Sequence, residues 1–185
     1  MCYELFLDYV TLKEYIFDLA PEEWTYKTYQ SIISQILKAM SYCHSISVVH
    51  GDISLTNIMI SPQEKTIKII DFGTSKIISE DNTAYSPIGD LDFRPPDNKF
   101  FFLDAFAAEC WSVGLILLSV ALKEKITTKR AKKIWTFIEE RTLQKNLLKV
   151  LKGLTCIQSE ERLNLASCLT LLEETEFKGI SFEKY

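Results

Sequence analysis

Along the chain the apolar positions switch between strand-like runs and helical spacing, and each switch marks an element. Near the start, Glu4-Leu5-Phe6-Leu7-Asp8-Tyr9-Val10 carries the aromatic and branched side chains of a strand. Thr11-Leu12-Lys13-Glu14 then has the spacing of a capping box: the Thr11 hydroxyl can accept from the Glu14 amide while the Glu14 carboxylate reaches back, so a short helix starts there. From Glu22 to Ser45, Ile32, Ile33, Ile36, Leu37 and Met40 recur at helical spacing, with Pro21 near the start, and predict one long amphipathic helix. Two short branched runs follow, Ile58-Met59-Ile60 and Ile67-Lys68-Ile69-Ile70. The turn chemistry of Ser61-Pro62-Gln63-Glu64-Lys65 between them predicts a hairpin.

Residues 74–103 lack sustained periodicity and are rich in Ser, Asp, Asn and Pro, which predicts a long ordered loop, and loops of that length in compact domains are usually functional. From Asp104 to Phe177 the pattern is helical again: a hydrophobic helix, a basic connection, then helices around Ile134 to Thr142, Leu143 to Leu151 and Leu163 to Glu174. The most apolar stretch, Cys110 to Leu122, is shorter than a bilayer span and is bounded by Glu109 and Lys123, so it reads as a buried core helix. No membrane span and no secretory signal are expected. Without a repeat or a linker, residues 1–185 read as one mainly α domain with a small hairpin.

Composition changes this picture little. A chain of 185 residues can bury a core of its own. A net charge of -4 gives no general reason to expect nucleic acid or an anionic membrane. The exception is local: Lys123, Lys125, Lys129, Arg130, Lys132 and Lys133 form a basic cluster that is either a solvated face or an anion or partner site. Five widely spaced cysteines, Cys2, Cys43, Cys110, Cys156 and Cys168, contain no Cys-x-x-Cys pair, so they read as buried free thiols of an intracellular protein rather than zinc ligands.

The chemistry concentrates in His50-Gly51-Asp52-Ile53-Ser54-Leu55-Thr56-Asn57 and, after the hairpin, Asp71-Phe72-Gly73. His50-x-Asp52-x-x-x-x-Asn57 resembles the catalytic loop of eukaryotic protein kinases, and Asp71-Phe72-Gly73 resembles their magnesium-binding motif. Gly89 through Phe93 to Pro95-Pro96-Asp97 resembles the end of the activation segment, with Asp97 for the usual Glu. Glu109-Cys110-Trp111-Ser112-Val113-Gly114 resembles the start of the central hydrophobic helix, and Arg162 stands where the family has the Arg that pairs with the activation-segment acid. The order and spacing of these pieces resemble the kinase C-terminal lobe over nearly the whole chain.

The resemblance implies roles. Asp52 would accept the proton of a substrate hydroxyl, Asp71 would chelate Mg2+ across the phosphates of ATP, and Asn57 would give a neutral oxygen to a second metal. His50 would be structural, packed on Phe72 and bonded to the loop. Residues 1–10 would be the last strand of the N-terminal lobe running into the hinge, with Leu7 near the gatekeeper and Asp8 to Val10 as the hinge that meets the nucleotide. Residues 11–185 would be the C-terminal lobe.

Several positions depart from that pattern. No Gly-x-Gly-x-x-Gly loop, strand lysine or partner glutamate precedes Leu5, so the expectation is that the N-terminal lobe is missing. Ser54 replaces the catalytic-loop lysine of most Ser/Thr kinases, a loss that typically costs roughly 100- to 1000-fold in rate. Asp90 replaces the usual Thr and would lie close to Asp52, and Gly51 replaces the Arg that receives an activation-loop phosphate, leaving Thr83, Tyr85 and Ser86 without a receptor. Glu109 replaces the usual Asp, one methylene longer, in the residue expected to hold the catalytic loop. Two functions follow: a divergent Ser/Thr-type kinase using ATP and Mg2+ on a protein substrate, or an inactive pseudokinase that docks on a partner kinase or its substrate. The second would use apolar surface including Leu5, Leu7 and Val10.

Overall fold

The computed structural model describes residues 8–18, 24–79, 83–84, 91–96, 103–131, 133 and 145–176. Strand β1 (Val10–Thr11) runs directly into α1 (Leu12–Phe17), whose capping box is complete: the Thr11 hydroxyl accepts from Glu14 N–H and the Glu14 carboxylate accepts from Thr11 N–H. Residues Glu4 to Leu7 of the expected strand lie outside the described residues, and Asp8 is an exposed turn residue. Helix α2 (Tyr26–Ser45) starts later than the composition around Pro21 and Glu22 suggests. Thr25 caps it in an extended conformation, its hydroxyl accepting from Thr28 N–H, while the Trp24 ring leans on Tyr15 of α1 with centroids 5.9 Å apart. That contact requires Trp24 to approach from outside the helix.

The hairpin forms as the pattern predicts. β3 (Ile58–Ile60) pairs antiparallel with β4 (Ile67–Ile69), Ile58 facing Ile69 and Ile60 facing Ile67. β1 adds to its other edge with Val10 opposite Ile60, giving the sheet order β1-β3-β4. Two further ribbons are β2 (Val48–Val49) with β5 (Lys76–Ile77), and β6 (Thr83–Ala84) with β7 (Leu103–Asp104). They put three short paired strands into the stretch from 74 to 103, where the sequence suggests only loop.

The rest is helical. α3 (Ala105–Leu122) begins five residues before the apolar stretch does, capped by the Asp104 carboxylate on Ala107 N–H. At 18 residues it is long and apolar enough to cross a membrane by length and composition, but 78% of it is buried inside the protein. α4 (Lys145–Leu154) and α5 (Leu165–Glu176) follow; Leu143 and Gln144 of the expected first helix lie outside the described residues, and α5 starts two residues later than the periodicity indicates. The helix expected around Ile134 to Thr142 lies outside the described residues. α2 packs on α3 and α5, and α4 packs on both α3 and α5.

One continuous core runs through these layers: Ile32, Ile33, Ile36, Leu37 and Met40 of α2 are fully buried against Leu115, Leu118 and Val150 among others. Each such side chain contributes about 1.5–3 kcal/mol of burial. Of the described thiols, Cys43, Cys110 and Cys168 are buried, but Cys156 is only half-buried because it lies in the bend after α4. Cys2 lies outside the described residues.

Candidate active site

The loop from His50 to Asn57 joins β2 to β3 and is held from below by the core helices. Glu109, fully buried in α3, accepts from Gly51 N–H through Oε1 at 2.9 Å and from His44 Nε2–H, at the end of α2, through Oε2 at 2.9 Å. A carboxylate one methylene longer than aspartate thus spans both groups. Gly51 has φ +85°, and a Cβ there would stand 2.5 Å from the Thr74 carbonyl oxygen, so no residue with a side chain fits this backbone.

His50 is buried and structural in the way its position suggests. Its Nε2–H donates to the Ile70 carbonyl at 2.9 Å, its Nδ1 accepts from Asp52 N–H at 3.3 Å, and its ring lies against Phe72 with centroids 4.6 Å apart. The Thr74 hydroxyl donates to the His50 carbonyl, so the loop and the segment after β4 are tied together at several points.

Within that frame Asp52 and Asn57 meet. Asn57 Nδ2 donates to the Asp52 carbonyl at 2.8 Å and to Asp52 Oδ2 at 3.1 Å. Both bonds are on the nitrogen, and Asn57 Oδ1 makes no hydrogen bond among the described residues. Ile70 N–H donates to the Asn57 carbonyl at 3.0 Å, which brings the neighbouring Asp71 to the same end of the hairpin. Asp71 is exposed, in the left-handed region at φ 63°, and its carboxylate accepts from Gly73 N–H at 3.3 Å where Phe72–Thr74 forms a 3-10 turn. Val10 pairs with Ile60 in the sheet and Asp8 is an exposed turn residue; neither lines the cleft beside the loop.

A carboxylate and an amide oxygen suit a hard cation that completes its shell with water and phosphate oxygens. No group of three or more His, Cys, Asp or Glu side chains that could cage a metal occurs among the described residues. Ser54 is buried, and its hydroxyl bonds Thr56 Oγ1 at 2.9 Å, so this position gives the loop no cation.

A cleft of about 210 Å³ opens beside the loop, lined by Asp52, Ser54, Asn57, Lys13, Asp92 and Lys125 together with Phe93. Lys13 and Asp92 carry no sequence signal of their own, since the chain folds them in from α1 and from the turn 91–93. Lys13 N–H donates to the Leu55 carbonyl at 3.1 Å, and Lys125 Nζ pairs with Asp92 Oδ2 at 2.8 Å. Phe93 and Arg94 are fixed by α3 and its exit: Ser112 Oγ donates to the Phe93 carbonyl, and Thr128 Oγ1 donates to the Arg94 carbonyl and accepts from Trp111 Nε1. Asp90, Tyr85, Ser86 and Asp97 lie outside the described residues. Arg162, expected opposite Asp97, donates to the carbonyls of Ala107, Cys156 and Ile157 and stacks over Trp111.

A helical lobe that carries a hairpin, with an Asp-Asn pair before it and a second Asp after it, is the architecture of a kinase-type phosphotransfer lobe. The chain belongs to the protein kinase domain family, whose family model matches residues 2–172. It is 28% identical over 127 residues to a probable casein kinase II subunit alpha homolog of Encephalitozoon cuniculi, covering 66% of this chain and 38% of that one. Over 95 residues it is 33% identical to cyclin-dependent kinase C-3 of Oryza sativa subsp. japonica, covering 51% and 29%. A solved structure of the yeast RNA Pol II CTD kinase CTDK-1 complex superposes with a TM-score of 0.71 at 17% identity, over 86% of this chain and 66% of that one, and so shares the fold. The chain spans well under half the length of these two curated relatives.

Proposed function

We propose that this chain forms the acceptor and metal-binding side of a protein kinase active site and takes part in Ser/Thr-type phosphoryl transfer from ATP. The observation that carries the reading is the Asp52–Asn57 pair, in which one amide nitrogen holds the aspartate and its Oδ1 makes no hydrogen bond among the described residues. Mg2+ and ATP, when bound, supply the phosphoryl group and neutralise the charge that develops on it. Asp52 orients the acceptor hydroxyl and takes its proton, while Asp71 and Asn57 Oδ1 hold the metal end. Glu109 fixes the backbone immediately before Asp52, so the base is positioned before substrate arrives. Residues 1–185 act as one domain on this reading, with 11–185 as the C-terminal lobe and Asp8 to Val10 as the hinge that meets the nucleotide.

A second reading is favoured by Ser54. Its hydroxyl is taken up by Thr56, so the loop presents no cation to a transferring phosphate, as expected of a pseudokinase that docks on a kinase or on its substrate. Calorimetric titration with ATP and Mg2+, paired with label transfer to a serine-containing acceptor, separates the two. Binding and transfer that are lost in Asp71→Ala and Asp52→Asn support the enzyme. Absence of both in the wild-type protein overturns it in favour of the docking role.

A further inference from the structure

The basic cluster and the catalytic loop are far apart in sequence, but one member of the cluster, Lys125, stands on the rim of the cleft that holds Asp52. The connection after α3 is drawn there by Thr128, whose N–H donates to the Asp92 carbonyl at 2.8 Å and whose hydroxyl donates to the Arg94 carbonyl. Lys123 before it and Lys129 and Lys133 after it, all exposed, belong to the same stretch. A second lysine lines the same cleft: Lys13 is held against the loop by its backbone bond to Leu55. Its ammonium forms no ion pair with any side chain among the described residues.

We infer that the cleft accepts an acidic segment of protein, with Asp or Glu residues flanking the acceptor hydroxyl, and that Lys13 and Lys125 read that charge. This rests on the acceptor site assigned above. The charges explain the preference. By itself the Asp52 carboxylate repels an acidic acceptor; the two cations that line the cleft offset that repulsion and attract acidic side chains beside the acceptor hydroxyl. A basic segment would meet the same lysines as like charges, which act against it. Lys125 is paired with Asp92 at 2.8 Å, whereas Lys13 makes no contact ion pair among the described residues and only feels the charge of the neighbouring Glu14, so Lys13 carries the larger share of the selectivity.

The placement also accounts for the connection being basic in a protein whose net charge is -4. Here Thr128, Trp111 and Ser112 lock the connection and the turn 91–94 onto α3, so the lysine is delivered to a fixed place.

The test is fluorescence anisotropy of labelled serine peptides that differ only in flanking residues, acidic, neutral or basic, against the full chain, with ATP and Mg2+ binding followed separately by calorimetry. The wild-type protein is expected to bind the acidic peptide at least tenfold more tightly than the basic one, with the difference shrinking between 50 mM and 500 mM salt. Lys13→Ala should weaken acidic-peptide binding about two- to fivefold and Lys125→Ala less, the range of exposed ion pairs. Lys13→Glu should remove or reverse the preference, while Lys149→Glu, on the exposed side of α4, should leave it intact. Thermal melts of each variant identify any that fail to fold, and the alanine variants then decide.

Equal binding of the three peptides, preference for the basic one, or no peptide binding overturns the inference. Nucleotide binding that persists in that case leaves the enzyme reading standing. Acidic preference without nucleotide binding sinks the enzyme reading and keeps the cleft as an acidic docking site.

Discussion

Replacing Glu109 tests whether the loop is held from the core as described. The carboxylate is fully buried and makes two charge-assisted hydrogen bonds of 2.9 Å, to Gly51 N–H and to His44 Nε2–H. Bonds of this type contribute about 1.5–3 kcal/mol each, and a carboxylate already desolvated in the native state returns part of that when it is removed. Glu109→Ala is therefore expected to cost about 3–5 kcal/mol, because both donors stay partly buried without an acceptor. Glu109→Gln keeps an oxygen for Gly51 but loses the charge, and neutral bonds are about half as strong, so its expected cost is about 1–2 kcal/mol. Glu109→Asp falls one methylene short of spanning both groups and should lie between the two.

Urea unfolding followed by tryptophan fluorescence measures these differences. With a slope of about 2–3 kcal/mol/M, the alanine variant should lose about 1–2 M in midpoint. A midpoint for Glu109→Ala within 0.2 M of wild type would falsify the bridge, and so would a glutamine variant as unstable as the alanine one. A cycle with His44→Ala apportions the two bonds: residues in direct contact should show a coupling of about 0.5–3 kcal/mol.

Gly51→Ala should cost about 1–3 kcal/mol, since the backbone is at φ +85° and the new Cβ would meet the Thr74 carbonyl at 2.5 Å; an unchanged urea midpoint would contradict that geometry. Stability should also fall as the pH rises past the ordinary thiol range, because burial holds the Cys110 thiol well above its usual value and pushes Cys168 up to about 12. A folded value raised above the unfolded one means that the folded state keeps its proton while the unfolded state loses it, so the contribution is complete at neutral pH and declines above about pH 9, by about 1.4 kcal/mol per pH unit for each thiol. Cys168→Ala should make the decline between pH 9 and 10.5 shallower by that amount, and equal slopes would refute the assignment.

Much of this fold is legible in the sequence because its signals are local. The capping box at Thr11 and Glu14, the spacing of Ile32 to Met40 and the branched runs on either side of Pro62 each depend on residues a few positions apart, and each forms as its pattern requires. The errors fall where a tertiary contact chooses between local alternatives. Trp24 is drawn onto Tyr15, so α2 starts at Tyr26 rather than near Glu22. β2 and β5 are two residues each and lie 27 positions apart, from Val49 to Lys76, too short to show a period. The same holds for the site. Asp52, Asn57 and Asp71 are visible as a spaced motif, whereas His44, 65 positions from Glu109, and Lys13, which lines the cleft with Lys125, become part of it only when the chain folds.

That division follows from how the loop is built. Its reactive side chains, Asp52 and Asn57, are half-buried and bonded mainly to each other, so they contribute little to the core. Its supports are His50 and Glu109, fully buried, and the half-buried His44, and they bond the loop backbone or one another. A fold that must satisfy a buried Glu109 will therefore hold the Gly51–Asp52 backbone in place whether or not phosphate is transferred there. Conversely, a change at Asp52 should alter ligand binding with little effect on stability, and a change at Glu109 should alter both. Measured on the same variants, unfolding midpoints and nucleotide titrations thus separate a loop kept for its chemistry from one kept for the core beneath it.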